Sequence, residues 1–286
     1  MLAAQFTESF RGSSTERRTQ LGAELGRSLI APVWPLIDGH DEVVFVTDAA
    51  TSGIAFAALP DQAGRMLVEH FIVSVAPSAR LYVAARARRP QPRANVLIVD
   101  SPVNPALRRL TGTSAEADAL EKEYPNALRL SGSAATRDAF VREARTADVI
   151  HFAGHGVTGL ESAALILTST ASDSGVFEAT SISRLALRHT DIVVLAACDT
   201  ARGPVRAAEG VLSVTHAFLQ AGAPAVIATL WPLNDRAAAD FFPRLHRHLA
   251  RGVPAAQALR AAQLELIHGS PRDRASLWAA VQAVGY

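Results

Sequence analysis

Cysteine is almost absent from this chain of 286 residues, in which Cys198 is the only one. A single thiol cannot close a disulfide within the chain, whereas small secreted domains usually depend on disulfides. Residues 1–18 also have no apolar run of the kind that a secretory signal contains. These two absences predict a cytoplasmic protein.

The chain also has no excess of charge and no long apolar run. It carries 28 basic and 27 acidic side chains, a formal net charge of +1, so no overall field would attract nucleic acid or an anionic membrane. Its apolar runs are shorter than the roughly 20 residues that cross a bilayer. We therefore expect neither a membrane nor nucleic acid as a direct partner.

The motifs of several enzyme classes are missing as well. Cysteine, histidine and carboxylate residues do not occur at the spacings typical of zinc sites, so we predict no metal and no cofactor. The segment TGTSAE (111–116) lacks the spacing and the lysine of a phosphate-binding loop. A G-x-S-x-G nucleophile elbow is absent too, which argues against a doubly wound hydrolase or a nucleotide binder.

Apolar segments of strand length alternate with amphipathic segments of helix length along most of the chain. The predicted strands are 42–48, 71–77, 95–100, 127–130, 148–154, 164–167, 191–197 and 224–231. The predicted helices are 113–124, 133–144, 209–221, 235–249 and 254–268, and an amphipathic segment ends the chain. This alternation favours a mainly parallel sheet covered by helices on both faces. Thr113 and Glu116 also match a capping box at the start of the first of these helices.

The predicted domain organisation has two parts. Residues 1–40 are a helical segment or a linker, with leucines four residues apart over 21–29. Residues 41–286 form the main domain: a β-rich part (41–84), an arginine- and proline-rich linker (85–94) and a catalytic part (95–286).

Two reactive side chains follow predicted strands directly. HFAGHG carries His155, and VVLAACDT carries Cys198. Because the carboxyl ends of parallel strands meet at one rim of a sheet, both side chains are expected there. An imidazole beside a thiol can take its proton, since a free thiol with a pKa of about 8.5 is mostly protonated at neutral pH.

Backbone groups complete this predicted site. Gly154 and Gly156 allow a sharp turn and a close approach to substrate, and the N–H groups of Gly156 and Cys198 are candidates for an oxyanion hole. The alternative for Cys198 is an inert, buried, small apolar residue. His151, four residues earlier, is interpreted as a hydrogen-bonded core histidine.

The order of these motifs resembles the CHAT peptidases, a caspase-like group often fused behind tetratricopeptide (TPR) repeats. The resemblance rests on HFAGHG, VVLAACDT, the segment from AEGVLSVTH to ATLWPLND, and LWAAVQAVGY, and it extends over about residues 40–286. It implies a caspase-like three-layer α/β/α sandwich with a mostly parallel central sheet. It also implies peptide-bond hydrolysis, with His155 as the catalytic histidine, Cys198 as the nucleophile and Gly156 as a backbone donor.

One departure from the caspase pattern concerns specificity. Caspases have a glutamine two residues before the cysteine that helps to hold a substrate aspartate, and Ala196 stands there in this chain. The substrate-binding candidates are Asp199, Glu209, Trp231 and Asp235. The three carboxylates could receive a basic side chain or cap a helix or turn, and the tryptophan could line the substrate groove or belong to the core.

The leading hypothesis is therefore a cysteine endopeptidase that acts on a protein substrate. We expect its activity to be regulated by a partner protein or by an upstream sensor of the TPR type. The alternative is a catalytically silent scaffold that keeps the fold for protein binding.

Overall fold

The computed structural model describes residues 2–12, 14–48, 50–88, 93–159, 163–197, 205–206, 210–211, 213–269 and 274–286. The α-helices are α1 (Leu2–Ser9), α2 (Thr15–Leu25), α3 (Trp34–Ile37), α4 (Leu67–His70), α5 (Ala79–Arg86), α6 (Thr113–Glu123), α7 (Arg137–Ala144), α8 (Ala179–Ile182), α9 (Val214–Gln220), α10 (Asp235–Leu249), α11 (Ala255–Gly269) and α12 (Ala275–Trp278). The strands are β1 (Glu42–Val46), β2 (Ile72–Ala76), β3 (Val96–Asp100), β4 (Leu128–Ser131), β5 (Val149–Thr158), β6 (Ala163–Ile166), β7 (Val176–Glu178), β8 (Ile192–Ala197), β9 (Val205–Arg206), β10 (Gly210–Val211), β11 (Ala225–Thr229) and β12 (Val281–Gly285). A π-helical turn covers Gly26–Ile30, and 3₁₀ turns cover Phe56–Ala58 and Gly132–Ala134.

A central sheet holds the strands in the order β1-β2-β12-β11-β8-β5-β3-β4. Its pairs are parallel except that of β11 with β12. β3 and most of β5, β8 and β11 are fully buried, as expected for strands covered on both faces. Helices α6, α10 and α11 pack together on one face, and α7 and α9 lie on the other. The predicted three-layer α/β/α sandwich with a mostly parallel sheet is confirmed.

The N-terminal helices belong to the same hydrophobic core as the sheet. Phe6 and Phe10 are buried, as are Leu21 and Leu25 of α2. Phe10 stacks on Trp231 with ring centroids 4.9 Å apart. Helices α1 and α2 therefore pack against the core of the main domain.

Within the segment 85–94, which the composition predicts as a solvated linker, the structure describes residues 85–88 and 93–94. The first two residues of this segment complete α5, and the side chain of Arg93 is 10% exposed. The Arg93 guanidinium donates to Asp191 at 2.7 Å and to the carbonyls of Leu249 and Val253. An arginine can be buried in this way because an ion pair and carbonyl acceptors together satisfy its donors.

The end of the chain also differs from the sequence pattern. After the single turn of α12, residues Val281–Gly285 form β12, which inserts between β2 and β11. β12 therefore joins the β-rich part 41–84 to the catalytic part 95–286 in one continuous sheet. Within the described residues, no helix combines the length and the apolar composition that crossing a bilayer requires.

β5 is longer than predicted and does not turn at its glycines. It continues to Thr158, and its second half pairs antiparallel with β6, with His155 opposite Ile166. A Cβ atom at Gly154 would lie 2.8 Å from the ring of Phe152. Gly154 therefore makes room for that ring, and the predicted sharp turn is wrong.

A chain of buried polar side chains lies beneath α6 and α10. The ring of His151 is fully buried, with Nδ1 3.0 Å from Nε2 of His246 and Nε2 2.9 Å from Oε1 of Glu116. The hydroxyl of Tyr124 lies 3.2 Å from Nδ1 of His246. His151 is thus the hydrogen-bonded core histidine that the sequence predicts. The predicted capping box is wrong, because Glu116 faces His151 and Gly112 is the N-cap of α6.

Burial lowers the pKa of His246 well below its ordinary value, and the neighbouring charges of His151 and Arg93 act in the same direction. The unfolded chain therefore binds this proton more readily than the folded chain as the pH falls below about 6.5. We predict that the free energy of unfolding decreases there by up to about 1.4 kcal/mol per pH unit from this residue. His216, whose pKa burial also lowers, adds to the same trend.

Urea unfolding of the parent protein and of His246→Gln, measured from pH 8 to pH 5, checks this prediction. The variant should lose stability at every pH because its contact with His151 is lost, and it should show a shallower pH slope. The lost contact lowers the free energy of unfolding at every pH, whereas the lost titration changes how steeply it depends on pH. The pH slope therefore distinguishes the two effects. Equal slopes in the two proteins would contradict the prediction.

Candidate functional site

The carboxyl ends of four central strands form one rim of the sheet. β3 ends at Asp100, which pairs with Ala153 of β5, and β8 ends at Ala197, which pairs with Gly154. The hydroxyl of Thr229, the last residue of β11, donates to the carbonyl of Ala197. Both predicted reactive residues follow directly along the chain, His155 after Gly154 and Cys198 after Ala197.

The imidazole of His155 is half-buried at this rim and held by a backbone carbonyl. Its Nε2 lies 2.7 Å from the carbonyl oxygen of Arg108. A carbonyl oxygen can only accept a hydrogen bond, so Nε2 carries the hydrogen in this contact. In the neutral ring Nδ1 is then the basic nitrogen. The ring is oriented so that one nitrogen is anchored and the other can accept a proton.

The loop that supplies the Arg108 carbonyl, residues 101–112, is anchored at both ends. At its start Ser101 has φ of +50°, a left-handed conformation that is uncommon for residues other than glycine. The Ser101 hydroxyl lies 3.0 Å from Oδ2 of Asp100 and 2.7 Å from the hydroxyl of Thr113. These contacts hold the strained residue in place and fix where the loop leaves β3.

Asp235 holds the other end of the loop. It is the first residue of α10, after the N-cap Asn234, and its Oδ2 accepts from the N–H groups of Thr111 at 2.9 Å and Gly112 at 3.1 Å. The hydroxyl of Thr111 lies 3.3 Å from the same oxygen. In the described structure this carboxylate positions the loop, and its predicted contact with substrate stays a prediction.

Gly112 is required where this loop meets α10. A Cβ atom there would lie 2.4 Å from Cβ of Asp235 and 3.0 Å from its carbonyl carbon and oxygen, so backbone would have to move. We predict that Gly112→Ala lowers the free energy of unfolding by about 1–3 kcal/mol. Urea unfolding checks this against Gly12→Ala, where nothing lies within 4 Å of the added atom. A Gly112→Ala protein as stable as this control would refute the prediction.

A buried ion pair stands behind the rim. The carboxylate of Asp100 is fully buried and accepts from Nε of Arg129 at 2.8 Å and from Nη2 at 3.2 Å. Ser131 also donates to it, and Arg129 reaches Asp118 and Glu121 of α6. The bond to Asp100 is the largest of the interactions that raise the pKa of Arg129 above its ordinary value. The network ties the end of β3 to β4 and α6.

Trp231 lies in the core. Its side chain is 2% exposed, it stacks on Phe10, and its indole N–H donates to the carbonyl of Ser276 at 2.9 Å. This burial favours the core alternative, because an enclosed indole presents no surface to a substrate.

Three predicted site residues, Cys198, Asp199 and Glu209, lie outside the described residues. Gly156 lies on β5 opposite Leu165 of β6, and its role as an oxyanion donor stays a prediction. Among the described residues, no group of three or more histidine, aspartate or glutamate side chains could hold a metal ion.

Among the described residues, the cavity beside His155 is much smaller than a cavity elsewhere in the structure. The cavity beside its ring measures about 10 Å³, room for about one water molecule, and is lined by the start of the 101–112 loop together with Arg109 and Leu110. A cavity of about 740 Å³ lies elsewhere, between α2 and the helices α11 and α12. Cavity volume therefore does not single out the predicted site at His155.

The sequence pattern missed the Arg108 carbonyl and the residues that support it. A main-chain acceptor leaves no signature in the sequence, because any residue type at position 108 would supply it. Asp100 could have been noticed as a charged residue that ends an apolar strand, the same signal that led to His155 and Cys198.

Comparisons with known proteins identify related sequences and folds. A family model described as the CHAT domain matches residues 19–286. Tetratricopeptide repeat protein 28 of Homo sapiens is 26% identical over 86% of this chain, and that of Mus musculus is 25% identical over the same share. The chain spans 12% of the length of these two relatives.

Solved structures with a similar fold include two proteins of much lower sequence identity. Gingipain R, described as an Arg specific cysteine proteinase, matches with a TM-score of 0.57 and 11% identity over 99% of this chain and 73% of its own. Saccharomyces cerevisiae separase, in a separase-securin complex, matches with a TM-score of 0.59 and 13% identity over 85% of this chain and 16% of its own. At these identities the matches show a shared fold.

Proposed function

Because this chain belongs to the CHAT domain family, a protease-type domain, we propose that it is a cysteine endopeptidase in which His155 and Cys198 act as a dyad. The observation that carries this proposal is the register of β5 and β8, in which Gly154 pairs with Ala197. Paired residues of parallel strands face the same side of a sheet. His155 and Cys198 each follow one residue of this last pair along the chain, which supports the proposal that the two side chains act together.

The hydrogen bond of the His155 ring supports a specific route for the protons in the proposed reaction. Nε2 keeps its hydrogen on the Arg108 carbonyl, and Nδ1 takes the proton of the Cys198 thiol as the sulfur attacks the carbonyl carbon of the scissile bond. The N–H groups of Gly156 and Cys198 would bind the resulting oxyanion. The imidazolium then protonates the leaving amine, which leaves a thioester. Water hydrolyses this thioester, with the imidazole as base.

For specificity, we infer a preference for a basic residue before the scissile bond. Ala196 has no group that could hold a substrate aspartate, whereas Asp199 and Glu209 add carboxylates to the segment after the nucleophile. Gingipain R, which shares the fold, is described as Arg specific. Asp235 is the third candidate carboxylate, although its Oδ2 already binds the 101–112 loop.

For regulation, we propose a protein partner or an upstream TPR-type sensor. The curated relatives are tetratricopeptide repeat proteins, and the separase that shares the fold was solved in complex with securin. The proposed substrate is likewise a protein.

A fluorogenic peptide library that varies the residue before the scissile bond tests this function. We expect cleavage after arginine or lysine, loss of cleavage in Cys198→Ala, and no effect of a metal chelator. Cleavage that survives Cys198→Ala would overturn the dyad. No cleavage by the parent protein, together with a thiol that reacts no faster than free cysteine, would favour the silent scaffold.

A further inference from the structure

A groove rich in arginine lies alongside α7. It is an open cavity of about 550 Å³ between α7 and the segment 181–189 that leads into β8. We name it the arginine groove after its basic lining residues, which are Arg137, Arg145, Arg184, Arg188 and His189. Thr190, next along the chain, donates to the carbonyl of Ala147, which places the His189 end of the groove at the amino ends of β5 and β8. Six residues of β5, 149–154, separate that end from His155, a distance of about 20 Å. The other end reaches Phe177 of β7, which pairs with Leu165 of β6, the partner of Gly156.

Most of this positive charge has no counter-charge within the described residues. Arg137 pairs with Asp173 at 2.8 Å. For Arg145, Arg184 and Arg188 the described part of the chain supplies no carboxylate within ion-pair distance, and none of the described residues that line the groove is acidic. The acidic residues of α7 lie outside this lining: Glu143 pairs with Arg142, and Asp138 is exposed.

This concentration of charge is local. The chain has nearly equal numbers of acidic and basic residues, so an average surface of this protein would intersperse both signs. Like charges in one concavity repel each other and focus a positive potential, which an anionic partner would neutralise.

The groove is held in shape by its backbone. Leu187 is buried, and its N–H donates to the carbonyl of Ala221 at 2.9 Å. The guanidinium of Arg88 donates to the carbonyls of Arg188 at 3.1 Å and Gly222 at 2.5 Å. These anchors fix the segment that carries two of the arginines, so less conformational entropy is lost when a ligand binds.

The residues that line the arginine groove also favour one kind of anionic ligand over another. Val141 and Leu185 provide partly buried apolar surface between the arginines. Guanidinium groups bind carboxylates in a bidentate manner. The ring of Phe177 is 2% exposed, so His189 offers the one exposed ring of the described lining, whereas binding of single-stranded nucleic acid usually relies on several rings on which successive bases stack. Carboxylates around an apolar side chain fit these features better than a nucleic acid does.

We propose that the arginine groove binds an acidic segment of a partner protein, in which carboxylates flank an apolar side chain. The groove does not include His155 or Cys198, and peptide binding is measured directly, so this inference does not depend on peptidase activity.

Fluorescence anisotropy with the full chain tests the proposal. The probe is a labelled peptide Glu-Asp-Leu-Asp-Glu, compared with its uncharged counterpart Gln-Asn-Leu-Asn-Gln and with a single-stranded RNA oligonucleotide. We expect the acidic peptide to bind, the uncharged peptide to bind at least about tenfold more weakly, and affinity to decrease as salt rises from about 0.05 to 0.3 M. Tighter binding of RNA, or equal binding of the two peptides, would overturn the proposal.

A pair of variants locates the binding. Arg184→Gln/Arg188→Gln should weaken binding of the acidic peptide at least about tenfold. Arg65→Gln/Arg251→Gln, which removes the same charge from two exposed arginines outside the groove, should leave it unchanged. Circular dichroism of both variants checks that they are folded. Equal affinity of the two folded variants would refute the assignment to the groove.

Discussion

Replacing His155 with alanine is expected to lower kcat for peptide cleavage by about 10³-fold and to change KM little. In the proposed mechanism the imidazole acts on the thiol and on the leaving amine, which develop charge during the reaction, and it does not bind the remote parts of a substrate. Steady-state kinetics with the best peptide from the library would measure both constants.

The matched control is His40→Ala, which removes an exposed histidine just before β1. It should retain the kcat of the parent protein. A His155→Ala enzyme with kcat within tenfold of the parent would show that the imidazole is not the base, even if Cys198 proved essential.

Replacing Arg129 with leucine is expected to lower the free energy of unfolding by about 3–5 kcal/mol. The carboxylate of Asp100 is fully buried, and without the guanidinium it would keep only hydroxyl donors for its charge. Removing one partner of a buried ion pair leaves an uncompensated charge, which is far more costly than breaking a pair at the surface. Urea denaturation would measure the loss.

Arg142→Leu is the control for this second prediction. Arg142 pairs with Glu143 at 2.8 Å, but its side chain is 67% exposed, so its loss should cost about 1 kcal/mol or less. The double variant Asp100→Asn/Arg129→Leu should recover part of the stability, because the buried charge is gone. Equal losses for Arg129→Leu and Arg142→Leu would contradict the structural account of the network.

The sequence predicts the strands of the sheet well, for a physical reason. Strands such as β3 and β8 are buried on both faces and are therefore continuous apolar runs, which end sharply where the chain meets the rim. His155 does not stand at such an end, because β5 continues to Thr158; it lies one residue beyond the part of β5 that pairs with β8. β12 is missed because AVQAV alternates as a strand does but follows a helical turn, and only its neighbours β2 and β11 determine its state.

The details of the candidate site are less accessible from the sequence. Glu116 matches a capping box, yet its carboxylate lies 2.9 Å from the buried ring of His151, a partner from a distant strand. From the sequence, Asp235 could equally cap a helix or receive a substrate. In the structure the backbone of Gly112 lies against Asp235 and donates to its carboxylate. Arg93 is interpreted as part of a solvated linker because Asp191, its partner, lies 98 residues away. Each of these contacts is tertiary, and local patterns do not encode it.

The rate at which iodoacetamide alkylates Cys198, measured against pH, tests most directly whether an imidazole activates this thiol. The chain has one cysteine, so the label reports on that side chain alone. Near neutral pH we predict faster alkylation than for free cysteine, and a return to the rate of free cysteine in His155→Ala. Rates equal to that of free cysteine in both proteins would contradict the dyad.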